Sequence, residues 1–128
     1  MSMKYKTHLY SIFDFWSHYQ IPLFFLGWFG ISIATLTPLE QLPIHVPGSD
    51  KLHHIIGFSS WSLMVAAGKQ KTFTYLCLFI FLWGGIIELI QPYVNRYGEW
   101  LDFGANTVGI VFTYLLATFV KRILKQPN

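Results

Sequence analysis

The chain reads as four apolar stretches separated by short polar connections. A helix needs about 20 mostly apolar residues to cross roughly 30 Å of hydrocarbon. The first stretch, 21–37, carries no charge. Pro22 sits where a helix start accepts proline, and Pro38 stands just past the end, where the helix cannot continue. The second, 50–68, is the least apolar: it opens with Asp50, Lys51, His53 and His54 and contains Ser59, Ser60 and Ser62. The third, 73–91, is the most hydrophobic, with Glu88 as its lone ionisable group apart from Cys77 and Tyr75. The fourth, 102–120, is free of charge after Asp102. Ahead of them, Leu9, Ile12, Phe13, Trp16 and Tyr19 recur at three- and four-residue spacing, the pattern of a short amphipathic helix lying in the membrane surface. The pattern predicts an all-α protein: a four-helix transmembrane bundle, one domain over 1–128, preceded by an interfacial helix.

Composition agrees with this. Of 128 residues, 53% are hydrophobic and 12% charged, against about 25% charged in soluble domains. So small a soluble domain could not hide this much Phe, Trp and Leu. A formal charge of +3, scattered among apolar runs, marks no nucleic-acid face. Lys and Arg set orientation. Four spans place Lys4, Lys6, Lys69, Lys71, Lys121, Arg122 and Lys125 on one side and Lys51 and Arg96 on the other, seven against two, which predicts cytoplasmic termini. The late apolar run, with no small-residue cleavage pattern, predicts an uncleaved first span. Pro43, Pro47 and Gly48 mark a rigid outer loop. Cys77, the single cysteine, reads as core or lipid-facing filler.

Five of the six acids then fall at the outer end: Glu40, Asp50, Glu88, Glu99 and Asp102. Ser49 suits a helix N-cap, with Asp50 in the first turn. Asp50 and His54, four apart, share a helix face, where a carboxylate can fix an imidazole for acid–base work. His53 points about 100° away from His54. Glu88 lies deep enough to require a partner inside the protein, and Gly84 and Gly85 let a neighbouring helix come close. Ala105 and Gly109 form a small-xxx-small contact pattern. The pairs Asp50/His54, Glu88/Gln91 and Asp102/Asn106 stand at similar depth, with Lys51 and Arg96 at the rim. Facing one another, they make a polar basin open to the outer surface. The spacing matches no recognised metal-ligand motif, so no metal is assigned and the cofactor stays unknown.

The residues also follow a family pattern. Asp50-Lys51-Leu52-His53-His54 resembles the D-K-x-x-H segment of the VanZ-like family of bacterial membrane proteins. The resemblance continues through Glu88-x-x-Gln91, Arg96 and Asp102-x-x-Ala105-Asn106-Thr107-x-Gly109, and is preceded by Ser32, Leu36-Thr37-Pro38 and Leu42-Pro43. It runs over about 28–115 and puts the motif histidine at His54. It implies a multi-pass protein of the bacterial plasma membrane, tied to the cell envelope and to tolerance of teicoplanin-type glycopeptide antibiotics.

Two functions are expected from these residues. In the first, the basin binds a lipid, lipid-linked sugar or amphiphile: Lys51 and Arg96 take an anionic head group, while Gln91, Asp102, Asn106 and Glu88 bond its hydroxyls or amides. In the second, His54, Asp50 and Glu88 form the catalytic set of an intramembrane enzyme that modifies a lipid head group. Proton relay finds no Asp, Glu, His, Lys or Arg in the inner halves of the spans, and a pure assembly partner would need no basin. The expected partner is a membrane lipid or lipid-linked envelope component. Four short helices enclose little volume, which makes a homo-oligomer a natural expectation too.

Overall fold

A computed structural model describes residues 3–41 and 48–125. It is all-α, with five helices: α1 (Met3–Ser17), α2 (Gln20–Leu36), α3 (Asp50–Met64), α4 (Gln70–Ile90) and α5 (Trp100–Lys125). Single 3-10 turns follow α2 (Leu39–Gln41) and α4 (Gln91–Val94). The predicted loop residues Pro43 and Pro47, and the Leu42-Pro43 part of the family resemblance, lie outside the described residues.

Among the described residues, two units are long and apolar enough to cross a membrane: Gln70–Val94 and Trp100–Leu124. α1 and α2 qualify together as a third, bent by 63° where they meet. That bend falls at the junction expected between the interfacial helix and the first span. The second predicted span needs correction. Residues 50–68 do not form one helix, because α3 stops at Met64. Its 15 residues reach about 22 Å at 1.5 Å per residue, short of the hydrocarbon thickness.

The early stop has a physical cause. Carbonyls at the end of a helix need donors, and here they come from distant helices. Gln20 Nε2 donates to the Val65 carbonyl at 2.9 Å, and Lys121 Nζ to that of Gly68 at 2.8 Å. These donors let the chain leave the helix and turn while still buried, with Val65 at 0% exposure.

α3 is the centre of the bundle and packs chiefly on α5. Phe58, Trp61 and Val65 from α3 and its turn meet Phe73, Ile80 and Ile87 of α4 in the core. Trp61 lies so close over Gly27 of α2 that a Cβ there would collide with the indole. Its Nε1 donates to the Phe24 carbonyl at 3.0 Å, which satisfies the one polar atom of a buried ring. Cys77 is buried in the core and forms no disulfide. Outside, Leu26, Phe29, Ile33, Leu78, Leu82, Leu89, Phe112, Leu115 and Phe119 are exposed. So continuous an apolar belt suits hydrocarbon rather than water. The buried ionisable groups His54, Glu88 and Asp102, together with Gln91 and Asn106, gather at the end where α3 and α5 begin and α4 finishes.

Candidate functional site

The beginning of α3 sets the first half of the site. Ser49 has extended backbone angles, and its Oγ accepts the Leu52 N–H at 3.2 Å, which makes it the N-cap expected from sequence. From that fixed start, the side chains of Asp50 and His54 rise one turn apart. Asp50 Oδ2 stands 3.9 Å from His54 Nε2. His54 faces the bundle and is buried, whereas His53 is turned to a partly exposed position.

α5 supplies the other half. Asp102 Oδ2 is also 3.9 Å from His54 Nε2, and Asn106 Oδ1 is 2.8 Å from His54 Nδ1. Glu88, from the last turn of α4, brings Oε1 to 3.9 Å from the same Nδ1. Each imidazole nitrogen is thus surrounded by oxygens. An amide oxygen accepts only, so Nδ1 carries the proton toward Asn106. Nε2 then directs its lone pair at two carboxylates. Such an arrangement offers three donor atoms to a cation placed between them.

The glycines explain how three helices come so close. Gly109 has its α-carbon against α3: a Cβ there would lie 2.6 Å from the Ile55 carbonyl oxygen and 2.8 Å from Ser59 Oγ. A Cβ on Gly84 would lie 3.1 Å from the Phe58 ring and 3.3 Å from Asn106 Nδ2. The close approach expected at Gly84 is therefore to α3 and α5 together. Gly85 faces the Phe103 ring instead.

A second set of contacts closes the loop between α4 and α5 over the cluster. Glu88 Oε2 accepts the Glu99 N–H at 3.0 Å. Glu99 in turn accepts from Lys51 Nζ at 3.1 Å, and the same Nζ stands 3.3 Å from Asp102 Oδ1. Asn95 takes up the left-handed conformation (φ 56°) that turns the chain back, and Gly98 passes against the Glu88 carbonyl where no side chain fits. Among these groups burial falls into two levels. The side chains of His54, Glu88 and Asp102 are at most 4% exposed, while those of Asp50, Lys51 and Glu99 are 45–61% exposed. The cluster has a buried floor and an open mouth.

Of the eight residues singled out by sequence, six therefore meet at this place: Asp50, Lys51, His54, Glu88, Asp102 and Asn106. Gln91 and Arg96 are directed elsewhere. Gln91 is buried but donates to the Thr35 carbonyl at 3.2 Å, and Arg96 donates to the Thr37 carbonyl at 3.3 Å. Both tie the loop between α4 and α5 to the end of α2. Sequence spacing did not reveal Glu99 as a member of the rim. It also missed Asp102 as the second carboxylate on Nε2, because that pairing joins two helices with no spacing in common. Asp50, His54 and Asp102 each offer a ligand atom, all within 4.8 Å of one another.

No family model matches the chain, and neither does any curated protein or solved structure. What the fold and site define is a class: a membrane-associated all-α protein with an Asp–His–Asp cluster suited to acid–base or metal chemistry.

Proposed function

We propose that this protein is a membrane-embedded enzyme that modifies the head group of a lipid or lipid-linked envelope component. The observation that carries this reading is the environment of His54: a buried imidazole, oriented through Nδ1 by Asn106, with Nε2 between Asp50 and Asp102. Simple head-group binding needs no such arrangement. A general base does, since the carboxylates hold the ring and stabilise the imidazolium that forms when Nε2 takes a proton. In the reaction Nε2 accepts the proton of an attacking hydroxyl or water and later returns it to the leaving oxygen. Lys51, exposed at the mouth, supplies positive charge for an anionic head group. Glu88 stands behind His54, on its Nδ1 side, and positions the ring and the outer loop.

The finer setting rests on sequence. The seven-against-two distribution of Lys and Arg supports cytoplasmic termini and a mouth facing outward. The VanZ-like motif residues support a place in the bacterial plasma membrane and a contribution to teicoplanin-type glycopeptide tolerance. A chemical change in an envelope lipid would alter how such an amphiphile meets the cell surface.

The test is mass spectrometry of lipid extracts from cells producing the wild type or His54→Gln at equal membrane levels. Gln retains a polar group for Asn106 but cannot shuttle the proton. The expected result is a head-group species gained or lost with the wild type and unchanged with the variant. Identical lipid profiles in both would overturn the enzymatic reading.

A further inference from the structure

We infer that Asp50, His54 and Asp102 form a divalent transition-metal site. Three donor atoms meet there, His54 Nε2 and one carboxylate oxygen from each Asp, all within 4.8 Å of one another. Catalytic zinc is held by three protein ligands of these types at about 2.0–2.2 Å with a fourth position open, which places tetrahedral ligand atoms about 3.3 Å apart. The two Nε2–carboxylate distances are 3.9 Å and no donor pair exceeds 4.8 Å, so ion binding requires a contraction among the donors of roughly 0.5–1.5 Å. Asp50 can provide it, since it is exposed on the first turn of α3.

Independent features of the surroundings point to an ion. The tautomer is set for ligation: Asn106 Oδ1 at 2.8 Å holds the proton on Nδ1 and leaves the Nε2 lone pair free. Metal-binding histidines are oriented through the other nitrogen in this way. Beyond the triad, Glu88 is 3% exposed on its side chain, and its Oε1 faces the imidazole from 3.9 Å on the Nδ1 side. Lys51 occupies Asp102 Oδ1 and leaves Oδ2 directed at Nε2. One imidazole with two carboxylates suits zinc or manganese rather than the all-oxygen preference of magnesium and calcium. The mouth beside Asp50 is where a substrate oxygen would reach the open position.

This inference rests on reading the cluster as the catalytic centre, and it changes one role within it. With an ion bound, Nε2 would be a ligand rather than the base, and the ion would supply acidification of a bound hydroxyl or water, whose proton would pass to solvent water at the open mouth.

The experiment uses tag-free, full-length protein in detergent, titrated with Co²⁺ and with Zn²⁺ and read by visible d–d absorption and by bound metal per chain. One ion per chain is expected, with Zn²⁺ displacing Co²⁺. Asp50→Asn, an exposed substitution, should weaken binding at least tenfold with unchanged circular dichroism. Asn106→Ala should weaken it about 10–100-fold, the range for residues that orient a ligand. No stoichiometric binding by the wild type, or equal binding by Asp50→Asn and wild type, would overturn the site. A His54-dependent lipid product that survives metal removal sinks the metal inference alone. Stoichiometric metal without any lipid product supports the metal site and sinks the enzymatic reading.

Discussion

Gly109→Ala should destabilise the protein by about 1–3 kcal/mol, the usual cost of overpacking, although it adds a single methyl group. A Cβ at this position would lie 2.6 Å from a backbone oxygen of α3 and 3.1 Å from the Ser59 nitrogen. Backbone cannot rotate aside as the end of a long side chain can, so α3 and α5 must move apart. The His54–Asn106 bond lies one turn away across the same interface and should lengthen with it. Gly104→Ala is the control: nothing lies within 4 Å of its added methyl. Alanine also exceeds glycine in helix propensity by about 1 kcal/mol, so this variant should be neutral or more stable. Denaturant unfolding in detergent measures both. Equal stability of the two variants would contradict the close α3–α5 contact.

Glu88→Ala should cost about 2–3 kcal/mol through the lost volume and the lost hydrogen bond. Its carboxylate does more than face the imidazole. Oε2 holds the N–H of Glu99, the residue whose carbonyl accepts from Asp102 and Phe103 at the start of α5. Glu88 thereby joins the end of α4 to the beginning of α5, and so sets the height of Asp102. Glu88→Gln retains an acceptor and should lose about 1 kcal/mol or less. Hydrogen exchange should show the Glu99 amide protected in the wild type and the Gln variant and exposed in the Ala variant. Equal exchange in all three proteins would refute this role.

Much of this could be read from the chain because the signals are local. Ser49 followed by Asp50 announces a helix start, and Asp50 with His54 announces a shared face. Glu88 within an apolar run must find a partner inside, and it does. Ala105 and Gly109 mark a helix contact, which turns out to be with α3. The interhelical facts were not legible. Whether Asn106 or Gln91 reaches His54 depends on how α4 and α5 rotate about their axes. Gln91, three residues past Glu88, is drawn to the Thr35 carbonyl of α2 instead. The length of α3 was misread for the same reason. An apolar run to residue 68 predicts a continuing helix, but donors from Gln20 and Lys121 stabilise an earlier end. The triad on Nε2 likewise exists only in the folded chain.

The site depends on His54 and Asn106 meeting across the α3–α5 interface within one polar cluster. A double-mutant cycle with His54→Ala, Asn106→Ala and the pair, followed by unfolding in detergent, measures that contact directly. Coupling of about 1–3 kcal/mol is the predicted result for a buried hydrogen bond within a network. Additivity to within about 0.5 kcal/mol would mean the two side chains act independently, and the cluster as described would not exist.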